Sequence, residues 1–176
     1  MLKRFNYINF IILVCLAFFN LFEYCQADVF EYPTKINTIQ LPELSNIKCK
    51  FRQEKTILGL SKPLVSSGSF EFIKNKGVYF YTTYPIKSTV DYTNKNYKQI
   101  NDIMKAISSK KYNILEKDFN FYYTKQNSNW TLGLKPKQKS SVKNYVTSIL
   151  ITGNDYIHQI TIKQTNGNKT IIWFSK

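Results

Sequence analysis

Between residues 47 and 54, Ile47, Cys49, Phe51 and Gln53 fall on one side of the chain and Lys48, Lys50, Arg52 and Glu54 on the other. A period of two marks a β-strand with one buried face. The pattern recurs along most of the chain. Phe70 and Phe72 share a face, Asn75-Lys76-Gly77 is a tight-turn signal, and Val78, Phe80 and Thr82 resume the apolar face beyond it. Another strand is expected over 89–93, with Asn94-Lys95-Asn96 as its turn. After Gln99 the period changes. Asp102 is a residue type that caps helices, and Ile103, Met104 and Ile107 follow it at helical spacing. A second short helix is expected near 113–117. Strand signals return with Phe119, Phe121 and Tyr123, then with Trp130, Leu132 and Leu134, bridged by Asn127-Ser128-Asn129. Three more strands are expected over 145–152, 156–164 and 169–174, with turns at Gly153-Asn154-Asp155 and Asn166-Gly167-Asn168.

Eight or nine antiparallel strands in meander order, interrupted by short helices, predict a mainly β fold: a strongly curved sheet or incomplete barrel. Phe70, Phe72, Phe80, Phe119, Phe121, Trp130 and Phe174 all occupy alternating positions. They can line one concave face or simply fill a small core, and periodicity alone favours the filled core.

The first residues read as an export signal. Lys3 and Arg4 precede an apolar run from about Phe10 to Phe22, and Cys25-Gln26-Ala27 offers a cleavage site. The run is shorter than the ~20 apolar residues that span a bilayer. Cleavage after about Ala27 separates a signal, 1–27, from one domain, 28–176, of 149 residues, enough for a single core. Cys49 is then the one remaining cysteine, expected as a small buried hydrophobe. Pro33 and Pro42 make the start of the domain irregular, with at most a short helix.

The full chain carries a net charge of +14. Nucleic acid is not the expected partner: Arg52 is the only arginine beyond the signal, and the lysines are spread along the whole chain. Lys48, Lys50 and Arg52 form a basic stripe on one strand face, read as solvated. His158 is the only histidine, expected on the same face as Ile160, so neither a catalytic triad nor a zinc site can be assembled readily. No Gly-rich phosphate loop is present. No catalytic residue, metal ligand or cofactor is assigned, and an enzyme is not expected.

Residues 51–85 have a more specific character: Phe51-x-Gln53-x-Lys55, then Gly59-Leu60 and Pro63-Leu64, then Ser67-Gly68-Ser69-Phe70, then Gly77-Val78-Tyr79-Phe80 running to Pro85. In that order and spacing the block resembles the opening strands of the periplasmic outer-membrane lipoprotein carrier family, the soluble chaperones of the Lol pathway. The likeness extends through Trp130-x-Leu132-x-Leu134-x-Pro136 and Asn166-Gly167-Asn168-x-Thr170, nearest to a shorter carrier-like branch. It implies a half-open antiparallel β-barrel, lidded by short helices over an apolar cavity for acyl chains. On that fold the cavity candidates are Phe51, Phe70, Phe72, Val78, Phe80, Met104, Ile107, Phe119, Phe121, Trp130, Leu132, Ile149, Ile160 and Phe174. The family's lid-holding arginine corresponds to Lys74 or Lys76, which lack its planar fork. The family's third-strand tryptophan is Phe80, and the helical segment is short.

The resemblance implies a monomeric periplasmic carrier. It would take a lipidated protein from an inner-membrane ABC transporter and hand it to an acceptor lipoprotein at the outer membrane. A lipid anchor of roughly 30–45 methylenes, at ~0.8 kcal/mol each, would cost about 25–35 kcal/mol to leave bare in water. An apolar cavity removes that cost without catalysis. Two other readings stay open: a carrier of another envelope lipid (a glycolipid or polyene lipid), and an envelope interaction protein with a filled barrel.

Overall fold

A computed structural model of the chain describes residues 28–42, 46–73, 76–91 and 98–176. The expected signal, Lys74 and the turn at 94–96 lie outside these residues.

Among the described residues, nine strands form one antiparallel sheet. In chain order they are β1 (Ile47–Thr56), β2 (Leu64–Ile73), β3 (Gly77–Tyr84), β4 (Ser88–Asp91), β5 (Phe119–Gln126), β6 (Asn129–Pro136), β7 (Val146–Gly153), β8 (Ile157–Gln164) and β9 (Lys169–Ser175). Two helices, α1 (Lys98–Ser108) and α2 (Asn113–Glu116), connect β4 to β5. The spatial order is β4-β3-β2-β1-β9-β8-β7-β6-β5. Two hairpin meanders are thus joined by the chain's first strand pairing its last, with Phe51 opposite Phe174 and Gln53 opposite Ile172. Among the described residues no ladder joins β4 to β5, so the sheet is not closed.

The hairpins form where turn chemistry permits. Gly77 takes φ 136°, and the Lys76 amide donates to the Ile73 carbonyl at 3.0 Å. Asn127 adopts φ 55° between the paired Gln126 and Asn129, a left-handed conformation that asparagine tolerates.

Side-chain contacts report strong curvature. Phe51 and Phe80 lie on strands two positions apart, where a flat sheet would separate them by roughly 9–10 Å. Their ring centroids are 4.9 Å apart, edge to face. Phe70 stands between them, 5.0 Å from Phe80 and 4.7 Å from Phe174. The concave face carries the core, which also takes in Phe72, Trp130, Leu132, Leu134, Ile151 and Ile172.

Helix α1 covers this face with Ile103, Met104, Ala106 and Ile107, all buried. It ends in a Schellman motif: Lys110 takes φ 55°, its amide donates to the Ile107 carbonyl, and the Lys111 amide donates to the Ala106 carbonyl. The helix begins at Lys98, so Asp102 lies inside it and does not cap it, a correction to the sequence expectation. Ile100 precedes Ile103, Met104 and Ile107 at the same helical spacing, so the periodic pattern already starts upstream of Asp102. A second correction concerns His158. The register shifts between Thr152 and Gly153, pairing Gly153 with Ile157 and Thr152 with Gln159. This bulge turns Ile157 into the core and leaves His158 unpaired in the ladder, half-buried with its ring 4.4 Å from that of Tyr156.

The segment before β1 straps the free edge of β5. The Thr34 amide donates to the Phe121 carbonyl at 2.7 Å, and the Tyr123 amide donates to Thr34 Oγ1 at 2.9 Å. Upstream, Phe30 packs on the convex side against Tyr122, with centroids 5.3 Å apart. A Cβ at Gly133 would sit 2.6 Å from the Phe30 ring, so glycine makes room for it. Downstream, one 3-10 turn (Ile36–Thr38) leads to Ile39 and Leu41, both in the core. The strap therefore satisfies edge groups that would otherwise invite another strand.

Candidate functional site

The alternation of each strand and the curvature of the sheet turn apolar side chains from β2, β3, β7, β8 and β9 toward α1. Between them lies a cavity of about 30 Å³. Its lining is wholly apolar: Phe70, Val78, Phe80, Ile103, Met104, Ile149, Ile151, Ile160, Ile162, Ile172 and Phe174. The volume is close to one water's share of the liquid, and about a tenth of the ~300 Å³ at which small-ligand pockets begin. Its walls offer a water no hydrogen-bond partner, and its volume is far too small for an acyl chain.

All fourteen cavity candidates are buried in one core cluster. Phe70, Val78, Phe80, Met104, Ile149, Ile160 and Phe174 line the void. Phe51, Phe72, Ile107, Phe119, Phe121, Trp130 and Leu132 pack around it without lining it. Trp130 has a structural anchor: its indole N–H donates to the Asn154 carbonyl at 2.6 Å, and Gly153 beneath its ring has no space for a Cβ. Four lining residues were not among the candidates: Ile103, Ile151, Ile162 and Ile172. Their signal was present, since Ile149 and Ile151, Ile160 and Ile162, and Ile172 and Phe174 alternate as the aromatic positions do.

Polar groups are sparse at this face. Tyr112, beside α2, is buried, and its hydroxyl has no hydrogen-bond partner among the described residues. Burial, with a smaller contribution from Tyr123, pushes its pKa up to about 12. Tyr123 is itself raised by burial, and its hydroxyl donates to the Gln40 carbonyl at 2.7 Å. Burial also pushes the Cys49 thiol up to about 11, against a smaller opposing effect of Lys176, so the sulfur is a poor nucleophile. Among the described residues no three of His, Cys, Asp and Glu come together as a metal site would require.

The basic stripe lies on the convex side. Lys48, Lys50 and Arg52 are exposed, and Arg52 is engaged twice: in an ion pair with Glu54, and over the Trp173 ring at 5.4 Å from its centroid. A second groove, of about 450 Å³, runs between the strap and β5 and is lined by Asp28, Glu31, Tyr32, Thr38 and Tyr123 among others. It is open to solvent, and its walls mix charged and hydroxyl side chains with Val29, Pro33 and the tyrosine rings.

Among solved structures, the chain is similar to a LolA superfamily protein from Nitrosomonas europaea. The two are 9% identical with a TM-score of 0.35, and the match covers 78% of this chain and 87% of that one. No family model matches the chain, and no curated protein does. The fold assignment therefore stands on the strand register described above.

Proposed function

We propose that the protein is an exported carrier that binds lipid acyl chains between its curved sheet and helix α1. One observation carries the reading. The concave face is covered by a helix that belongs to no ladder, laid over side chains that are apolar without exception around the void. A barrel whose only task was to be stable would gain by pairing β4 with β5. Here that seam is left to a connector. In this reading the structure is the closed, unloaded state: α1 lifts, and acyl chains take the places of Ile103, Met104 and Ile107. Cargo binding then needs no catalytic residue and no particular sequence in the cargo.

The finer assignment follows the sequence resemblance: the cargo is the lipid anchor of a lipoprotein, moved across the periplasm from an inner-membrane donor to an outer-membrane acceptor. A lipid other than a lipoprotein anchor is served by the same apolar face.

A second reading has its own support. A void of about 30 Å³ is what a filled barrel leaves, and such a protein would act through its surface. Uptake of a fluorescent fatty acid by the detergent-free protein separates the two. The carrier reading predicts saturable uptake in which the probe quenches or sensitises Trp130. The filled-barrel reading predicts none, and that result would overturn the carrier.

A further inference from the structure

The exposed large hydrophobic side chains are unevenly placed. Of nine among the described residues, six stand at one end of the sheet: Leu58, Leu60, Leu64, Tyr84, Ile86 and Tyr145. Antiparallel order brings the β1–β2, β3–β4, β6–β7 and β8–β9 connections to this end. Leu58 and Ile86 are the most open, at 77% and 76% exposure.

Three of the connections are hydrogen-bonded into one platform. The Leu58 amide donates to Asn168 Oδ1 at 2.9 Å, and the Leu58 side chain packs over Gly167. The Thr165 amide donates to the Tyr145 carbonyl at 3.2 Å, and the Thr165 hydroxyl donates to the Asn144 carbonyl at 2.9 Å. Tyr84, opposite Ser67 on β2, brings the β3–β4 connection alongside Leu64. These connections hold Lys62, Lys87, Lys137, Lys139 and Lys143; Asp118, just before β5 at the same end, accepts from Ser140 Oγ at 2.7 Å and lies 4.0 Å from Lys117 Nζ. Both turns described in full at the opposite end, β5–β6 and β7–β8, present no exposed large hydrophobic.

We propose that this platform docks the protein on the surface of an anionic lipid bilayer. Apolar tips on separate turns, projecting and not lining a groove, fit a soft surface better than a shaped protein partner. Leucine, isoleucine and tyrosine at the tips suit the depth of the headgroup–acyl boundary. The five lysines outnumber the carboxylate of Asp118 that meets them, and this positive excess matches a negatively charged headgroup layer. The protein's overall positive charge would draw it to the membrane, and the platform would fix which end faces it. The inference does not rest on the carrier reading, because a filled barrel could dock in the same way.

The test is sedimentation of the purified protein with vesicles of phosphatidylcholine alone and of phosphatidylcholine mixed with phosphatidylglycerol. Binding is expected only to the mixture, weakened by salt. The Leu58→Ser/Ile86→Ser double variant and the Lys62→Gln/Lys87→Gln double variant should each lower the partition coefficient by about tenfold. A Lys48→Gln/Lys50→Gln variant removes the same charge from the convex face and should retain most binding. Equal loss in this control would reduce the effect to net charge and overturn the proposal. Absence of binding to either vesicle would also overturn it, leaving the platform to a protein partner. Circular dichroism of each variant checks folding, and fatty-acid uptake in solution should be unchanged by the platform variants.

Discussion

Phe80 and Phe174 belong to strands three positions apart in the sheet, yet their ring centroids lie 6.4 Å from each other. A flat sheet would hold them roughly 14 Å apart. The closeness measures how far the sheet rolls, and the roll makes one interior out of two meanders. Phe80 also meets the rings of Phe51 and Phe70, so its side chain ties together β1, β2, β3 and β9.

Truncating either ring should therefore be costly. Phe80→Ala and Phe174→Ala are each expected to lose about 3–5 kcal/mol in denaturant unfolding. The double variant should lose less than the sum, because the two share a neighbour in Phe70. Full additivity would mean that the rings do not share one packed cluster.

The strap across β5 gives a second prediction. Thr34→Val removes the acceptor for the Tyr123 amide at an edge that has no other strand. About 1–3 kcal/mol should be lost, with hydrogen exchange at Tyr123 accelerated and exchange in β1 and β9 little changed locally. Unchanged protection at Tyr123 would show that the strap does not hold the edge.

Gly133 and Phe30 should behave as one unit. Gly133→Ala displaces the Phe30 ring, and Phe30→Ala removes it. The two substitutions should cost similar amounts, about 1–2 kcal/mol, and the double variant should add little to either alone. Independent effects would indicate that the ring packs elsewhere in solution.

Stability should fall in alkali. Cys49 and Tyr112 titrate at about 11 and about 12 in the folded chain, both above their ordinary values because burial disfavours the charged forms. The folded state then holds protons that the unfolded state releases first. The associated stability is complete below the unfolded pKa values and is lost as pH rises through the folded ones. Unfolding followed between pH 8 and pH 12 should show this decline, and Cys49→Ala should make its lower part shallower. Thiol reagents at mild pH should label Cys49 only after denaturation.

Enlarging the void addresses the lid. Met104 is buried on α1 and lines the cavity. Met104→Ala should destabilise the protein by about 2–5 kcal/mol while speeding uptake of a fluorescent fatty acid. Destabilisation without faster uptake would favour the filled barrel.

Much of this architecture was legible in the sequence, for a physical reason. A strand buried on one face writes its period into the chain, so Ile47, Cys49 and Phe51 announced β1, and the asparagine-rich turns announced the hairpins. What the sequence withheld depends on distance or volume. The pairing of Phe51 with Phe174 joins residues at opposite ends of the domain and leaves no local mark. Ile39 and Leu41 enter the core from a segment without periodicity, because a strap follows an edge and has no face of its own. The bulge that displaces His158 inserts a single residue, which strict alternation cannot anticipate. Cavity size is also invisible to periodicity. Alternation says which way Phe70 and Phe80 point, whereas the depth left over depends on how closely α1 settles on them.

The most direct test of the carrier account is native mass spectrometry of the protein purified from its own cell envelope without detergent. The account predicts a fraction of molecules retaining a species with the mass of a diacyl or triacyl lipid, lost in Phe80→Glu only together with fatty-acid uptake. A bare protein that also fails to acquire lipid when mixed with a fatty acid would contradict it.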